Sequence, residues 1–234
     1  IEKDQKEDIL FKVSAMAHDL KTPLTVIKGN SELLQFAPLS GIDFQCLRDI
    51  ERASNQLDNY FNQLINYSKT FYSDQISFHQ HSISNLSKIL EQECAYLIGD
   101  NIDYKYDTKI ERDCNIDLDL DLIIRSIANI VNNAIAYAND AKKKIRVTFE
   151  FADSNITVSI WNNGSKFSDD VLENFGKLFY REDTSRNSQF EHFGIGLAFV
   201  KQVMSIHSGD IQLHNKENGA MVKLIIPIKS SDYA

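Results

Sequence analysis

From residue 1 to residue 72 apolar side chains recur at gaps of three and four, which is the spacing of one face of a helix. One seam runs Ile9, Val13, Met16, Leu20, Leu24, Ile27, Leu34. A second runs Leu47, Ile50, Leu57, Phe61, Leu64, Phe71, with Ser54 and Ser68 at the intervening core positions. The pattern predicts two long helices, and the breakers in Ala37-Pro38-Leu39-Ser40-Gly41 predict a short connection between them, so the segment reads as an antiparallel helical hairpin. Two helices cover only part of each other's apolar stripes. A symmetric dimer forming a four-helix bundle would remove the rest from water, so a homodimer is expected.

The pattern changes after Tyr72, where SDQISFHQHS reads as a linker running into a first strand. The periodicity predicts a helix at 84–97, a strand near 102–106, a helix at 119–138 and a strand pair at 145–151 and 155–161. A polar stretch to about 191 precedes a helix near 195–207 and strands at 210–215 and 221–228. Lys142-Lys143-Lys144 reads as a solvated hairpin shoulder. The fold class is therefore α+β: a helical hairpin over 1–72, then a domain over 77–232 with helices on one face of a mixed sheet.

Composition narrows the function. Hydrophobic residues at 43% and charged residues at 25% of 234 residues place the chain among globular proteins. A net charge of -8 argues against a nucleic-acid partner, which needs a basic face to neutralise phosphates. Cys46, Cys94 and Cys114 are widely spaced and odd in number, as suits reduced thiols rather than a disulfide framework or a zinc site. No run approaches the roughly 20 apolar residues that span a bilayer, and the acidic IEKDQKED start does not resemble a signal peptide, so these residues are expected in the cytoplasm.

Candidate chemistry lies first in FKVSAMAHDLKTPLTVIKGNSELL. At about 100° per residue, the seam through Val13, Met16, Leu20, Leu24 and Ile27 points roughly 160° from His18, which places the imidazole on the outer wall. Asp19 follows directly and can hold one ring nitrogen as N–H, leaving the other as a nucleophile. Thr22, one turn on, shares the face of His18. Pro23 removes a helix hydrogen bond and predicts a bend beside the histidine. By itself His18 would read as an ordinary surface histidine. However, His-Asp-Leu-Lys-Thr-Pro-Leu, preceded by Phe11 and followed by a second helix, resembles the H-box of sensor histidine kinases of the His-kinase-A type. The resemblance implies a phosphoacceptor at His18, a general base at Asp19 and a water-positioning hydroxyl at Thr22.

In the helix at 119–138, Arg125, Asn129, Asn132 and Asn133 interrupt apolar sequence, with Asn129 and Asn133 stacked one turn apart. Stacked Asn in an apolar helix serve either core hydrogen bonding or a ligand, and an amide oxygen suits Mg²⁺. The string Ile130-Val131-Asn132-Asn133-Ala134-Ile135-Ala136-Tyr137 resembles the family N-box, which implies Mg²⁺ at Asn133. Ala136 stands where Lys is frequent. Asn162-Asn163-Gly164-Ser165-Lys166-Phe167 resembles the G1 box, with Asn162 and Lys166 at its usual Asp and second Gly. Phe175, Phe179, Tyr180 and Arg181 resemble the F-box. His192-Phe193-Gly194-Ile195-Gly196-Leu197 resembles the G2 box, with His192 in place of its first glycine; glycines opening a helix let backbone N–H groups approach phosphates. Asn218-Gly219-Ala220 matches the last glycine box, or is an ordinary type I′ hairpin turn.

The boxes stand in the family's order. The resemblance implies an α/β sandwich of the Bergerat ATP-binding type, with ATP and Mg²⁺ as cofactors. It implies a nucleotide set of Asn129, Asn133, Tyr137, Asn162, Gly164, Arg181, Gly194, Gly196 and Leu197. It further implies autophosphorylation of His18 and transfer to an aspartate of a response regulator, in a sensor held in the bacterial membrane by segments outside this chain. The H-box flank resembles peptide- or antibiotic-sensing kinases of Gram-positive bacteria. Two alternatives stay open at this level: a degenerate transmitter acting as scaffold or phosphatase, suggested by Ala136, Asn162, Lys166 and His192, and an ATP-driven clamp of the same nucleotide fold.

Overall fold

The computed structural model describes residues 21, 24–25, 27–29, 31–32, 34–35, 41–72, 76–139, 141–177, 180 and 195–228. The chain divides into two compact units, Ile1–Ile76 and Ser77–Ala234.

In the first unit the described residues between 21 and 35 are helical, and helix α1 spans Gly41–Tyr72. Ser31 Oγ donates to Leu47 O at 3.2 Å, Gln35 Nε2 to Glu51 Oε2 at 2.8 Å, and Lys21 Nζ lies 4.0 Å from Asp58. Residue 21 meets α1 farther along than residues 31 and 35 do, so the segments run antiparallel, as expected. Leu24, Leu47, Phe61 and Leu64 are buried together with Ser31, Ser54 and Ser68. Small hydroxyl residues at core positions let two backbones approach closely, and the bond from Ser31 satisfies its buried oxygen. The other half of the seam stays in water: Ile27, Leu34, Ile50 and Leu57 are 41–46% exposed. Each pair is seven residues apart, which keeps both members on one stripe.

The second unit is built on a five-stranded sheet in the order β2-β4-β5-β7-β6, with β2 (Asp103–Ile110) parallel to β4 (Lys144–Ala152). The remaining neighbours, β5 (Asn155–Asn163), β7 (Gly219–Pro227) and β6 (Asp210–Lys216), pair antiparallel. Every second residue of β4 and β5 is buried, including Ile145, Val147, Phe149 and Phe151 opposite Asn162, Ile160, Val158 and Ile156. Helices α2 (Ile83–Ile98), α3 (Leu120–Tyr137) and α5 (Gly196–Ile206) supply the buried apolar residues that complete this core. Burying each large side chain is worth about 1.5–3 kcal/mol, and period-two alternation is what directs one face inward. Ser82 caps α2 by accepting from Asn85 N–H, and Asp119 caps α3 by accepting from Leu122 N–H.

The structure departs from the sequence reading in five places. A four-residue strand β3 (Asn115–Leu118) pairs with β1 (His79–Ser82) in a separate small sheet. NIDL is too short to show a period, and only its partner makes it a strand. Strand β2 runs on to Ile110, paired along its length with β4. A six-residue helix α4, Asp169–Asn174, lies inside the expected polar stretch, capped by Ser168. Lys142–Lys144 forms no hairpin shoulder. It follows α3 into β4, and Lys143 Nζ donates to Ile135 O at 2.9 Å, where a cation complements a helix C-terminus. A type I′ turn lies at Asp153-Ser154, with φ of 50° and 62°, rather than at Asn218-Gly219-Ala220, where positive φ falls only on Gly219. Among the described residues no helix is long and apolar enough to cross a membrane.

Candidate nucleotide site

Helices α3 and α5 lie side by side and antiparallel. Asp119, at the start of α3, meets His207, at the end of α5; in the middle the Arg125 guanidinium sits 4.7 Å above the Phe199 ring. At the other end Asn129 meets Gly196. The Asn129 Nδ2 donates to Arg125 O at 2.8 Å, and a Cβ placed on Gly196 would lie only 3.0 Å from Asn129 Oδ1. The close approach therefore favours glycine as the first residue of α5. Among the described residues no side chain caps α5, and backbone N–H groups at a helix start suit an anion, which the helix dipole also favours. Leu197 follows, half-buried.

Asn133 stands one turn beyond Asn129, half-buried, and among the described residues its carboxamide has no hydrogen-bond partner. A half-exposed amide without a partner is a chemically suitable oxygen donor for Mg²⁺. Tyr137 ends α3 and is 40% exposed. The turn after β5 is tied to this end: Asn139 N–H donates to Asn163 O at 3.0 Å and Ser165 N–H to Tyr137 O at 3.4 Å. Gly164 sits here at φ 129°, and a Cβ would come to 2.3 Å from Tyr137 O, so only glycine closes this turn. Asn162 is buried, and its Nδ2 donates to Asn163 O at 3.2 Å. No donor among the described residues reaches its Oδ1, which leaves that oxygen able to accept a ligand N–H.

Beside α5, Lys201 Nζ lies 5.2 Å above the Phe175 ring, and the Tyr180 hydroxyl donates to the Asp170 carboxylate. Of the sequence-predicted residues, the fold brings Asn129 against Gly196, and Gly164 against the backbone of Tyr137. His18, Asp19, Thr22, Arg181 and Gly194 lie outside the described residues, as do Phe179 and His192.

Sequence reasoning missed the residues that brace this arrangement. Asn163 accepts from Lys144 N–H at 2.7 Å and donates to Lys142 O at 2.8 Å, joining the turn to β4. Asn215 accepts from Phe167 N–H and donates to Phe167 O, both at 2.8 Å. His207 is buried, and burial holds its imidazole below the ordinary pKa of 6.5, so the ring is neutral. Nδ1–H donates to Val203 O at 2.8 Å and Nε2 accepts from Asp119 N–H at 3.1 Å. The only signal in the sequence was a polar residue closing an apolar helix.

Two family models match this chain. Residues 118–230 match the histidine kinase-, DNA gyrase B- and HSP90-like ATPase family, and residues 13–70 match the His Kinase A (phospho-acceptor) domain. Nisin biosynthesis sensor protein NisK of Lactococcus lactis subsp. lactis is 33% identical over 233 residues, covering 97% of this chain and 50% of that protein. Sensor histidine kinase SpaK of Bacillus subtilis is 31% identical over 234 residues, covering 98% of this chain and 49% of that protein. The chain thus spans about half the length of the curated relatives it matches. Among solved structures, the catalytic domain of histidine kinase ThkA superposes with a TM-score of 0.53 at 24% identity, covering 65% of this chain and 99% of that one, which supports the fold. With the phospho-acceptor and ATPase families matched in that order, and with relatives of the same kind along nearly its whole length, the chain belongs to the sensor histidine kinases of two-component systems.

Proposed function

We propose that this chain binds ATP with Mg²⁺ in the second unit, transfers the γ-phosphoryl group to His18, and passes it to an aspartate of a response regulator. The observation that carries this reading is the apposition of Asn129 to Gly196, which sets the start of α5, capped by no described side chain, beside the carboxamide of Asn133, which has no hydrogen-bond partner among the described residues. Backbone N–H groups at the start of α5, reaching back to Gly194, hold the phosphates, and Arg181 adds a charge-assisted contact. Asn162 accepts from the adenine amino group through its open oxygen, with Gly164 and Tyr137 shaping the adjoining wall. Asn133 holds Mg²⁺, which when bound neutralises charge on the phosphate oxygens. Asp19 keeps one nitrogen of His18 unprotonated, and that nitrogen attacks in line while the nucleoside diphosphate leaves.

Incubation with γ-labelled ATP and Mg²⁺ tests the proposal. Acid-labile, base-stable label on the chain is the expected result. An unlabelled chain would favour the scaffold alternative, for which the neutral Asn162 at the base-binding position is the specific observation.

The first unit acts as a homodimer in this proposal, with the exposed stripe of Ile27, Leu34, Ile50 and Leu57 buried against a second copy. Light scattering at micromolar concentration is expected to return twice the 26.7 kDa chain mass, and a monomer mass throughout that range overturns the pairing. In this proposal the two units form the cytoplasmic portion of a membrane-held sensor.

Thr22 serves a different step. Making phosphohistidine needs a nucleophile, a base and an aligned γ-phosphate, none of which is a hydroxyl one turn away. Dephosphorylating the regulator needs a water held in line, and a Thr hydroxyl can both accept from it and donate to it. Thr22→Ala is expected to keep autophosphorylation within a few-fold and to slow regulator dephosphorylation about tenfold, or about 1.4 kcal/mol. Loss of both activities in parallel would assign Thr22 a structural role before Pro23.

A further inference from the structure

We propose that His207 is a positioning residue for the nucleotide site, setting the axial register of α5 on α3 from the end of the helix pair opposite to the site. The proposal rests on the nucleotide-binding reading above. Its basis is three cross-contacts between the two helices, at 119 with 207, at 125 with 199 and at 129 with 196. The middle contact is a cation over a ring face, which tolerates sliding. The last is a close approach of a carboxamide to a glycine, which excludes a shorter separation but does not draw the helices together. The first is directional. Asp119 N–H points at Nε2 of His207 across 3.1 Å, while Nδ1–H donates to Val203 O across 2.8 Å within α5 itself.

One buried ring thus holds the α3 N-terminus to the last turn of α5, and the second bond fixes the ring's orientation and tautomer. Helices packed on a sheet move as rigid elements. A slip of a few tenths of an ångström at His207 is therefore transmitted to Gly196, where Asn129 Oδ1 stands so near that an added Cβ would come within 3.0 Å of it. Asp119 is itself held from two further directions. Its Oδ1 accepts from Leu122 N–H at 3.1 Å, and its Oδ2 accepts from Ser77 N–H at 3.0 Å. Next to Ser77, the Phe78 ring packs against the imidazole with centroids 5.0 Å apart. The anchor of the two nucleotide helices is thus the place where the first residues of the second unit attach.

The two bonds of the ring are separable by substitution. In His207→Gln the amide oxygen reaches the place of Nε2 and can still accept from Asp119 N–H. In His207→Asn the shorter amide reaches only the place of Nδ1 and loses that bond. ATP affinity is to be measured on the full 234-residue chain by fluorescent-nucleotide displacement, with circular dichroism confirming that each variant is folded. His207→Asn is expected to weaken ATP binding about tenfold, and His207→Gln to stay within about threefold of wild type, as coupling through packed elements allows. In steady-state phosphorylation the loss is expected in KM for ATP, with kcat nearly kept. A residue that only stabilised the fold would instead lower the folded fraction in both variants and leave the affinity of the folded chain unchanged.

A second measurement needs no variant. Linkage is reciprocal, so ATP bound at the Gly196 end is expected to slow hydrogen exchange of the Asp119 amide. Equal affinities in all three proteins, equal weakening in both variants, or Asp119 exchange indifferent to ATP each overturn the proposal. A wild-type chain that binds no ATP overturns the nucleotide reading itself, and this proposal with it. Tight wild-type binding alongside unaffected variants overturns only the role of His207.

Discussion

His18→Gln is expected to take up no phosphoryl group from ATP while binding ATP within about twofold of wild type, the limit expected for substitutions at distant, independent sites. His18 belongs by sequence to the unit Ile1–Ile76, whereas Asn129, Asn133, Asn162, Gly164 and Gly196 all belong to the unit Ser77–Ala234. Gln keeps the approximate size and polarity of the imidazole and forms helix readily, so the first unit keeps its shape. What disappears is the unprotonated ring nitrogen, and no carboxamide replaces it, because the amide nitrogen's lone pair is delocalised into the carbonyl. Labelled ATP reads the transfer, and nucleotide displacement reads the binding. If the variant still accepts label, another residue is the phosphoacceptor. If both activities fall together, the division of labour between the units is wrong.

Asn133→Ala is expected to lower Mg²⁺-dependent autophosphorylation about a hundredfold, close to 2.7 kcal/mol of transition-state stabilisation. Its effect on stability is expected to stay below about 1 kcal/mol. The asymmetry follows from the position of the side chain. Asn133 is half-buried and has no hydrogen-bond partner among the described residues, so the fold loses no bond with it and no closed cavity opens. Ala is also the better helix former. A core role for the stacked asparagines predicts the reverse, with stability falling and the metal dependence unchanged. Thermal unfolding and a Mg²⁺ titration of the phosphorylation rate separate the two. Asn129 provides the contrast within the same helix. Its Nδ2 is committed to Arg125 O and its Oδ1 faces Gly196, so it is already part of the packing between α3 and α5.

Much of this protein was legible from the chain alone. The three-and-four spacing of the two seams, one through Leu24 and the other through Leu47, Phe61 and Leu64, marks two helices because helix geometry repeats locally, and these four residues are buried in the hairpin. The strand pair expected at 145–151 and 155–161 was likewise legible, and in the structure it spans Lys144–Ala152 and Asn155–Asn163. The order of the sequence boxes was sufficient for the family. Each of these signals is carried by residues close together along the chain, where spacing alone sets which side a side chain occupies.

Tertiary structure decided what depends on two distant segments meeting. Strand β3 exists because β1 pairs with it across 33 residues or more, as in Ser82 with Asn115, and nothing within NIDL announces it. Lys143 became a helix-end donor rather than a solvated lysine because the path into β4 returns past Ile135. Asn162 and Asn163 are adjacent in sequence yet divide their work, one oxygen left open beside the buried core and the other side chain stitched to residues 142 and 144, because a strand points successive residues to opposite faces. His207 looked like the polar end of an amphipathic helix until Asp119, 88 residues away in the chain, supplied the N–H that its Nε2 accepts. Local periodicity determines which face of an element is apolar, but it carries no information about which element will lie against that face. That choice comes from packing the whole core at once, and it is what sets Gly196 against Asn129.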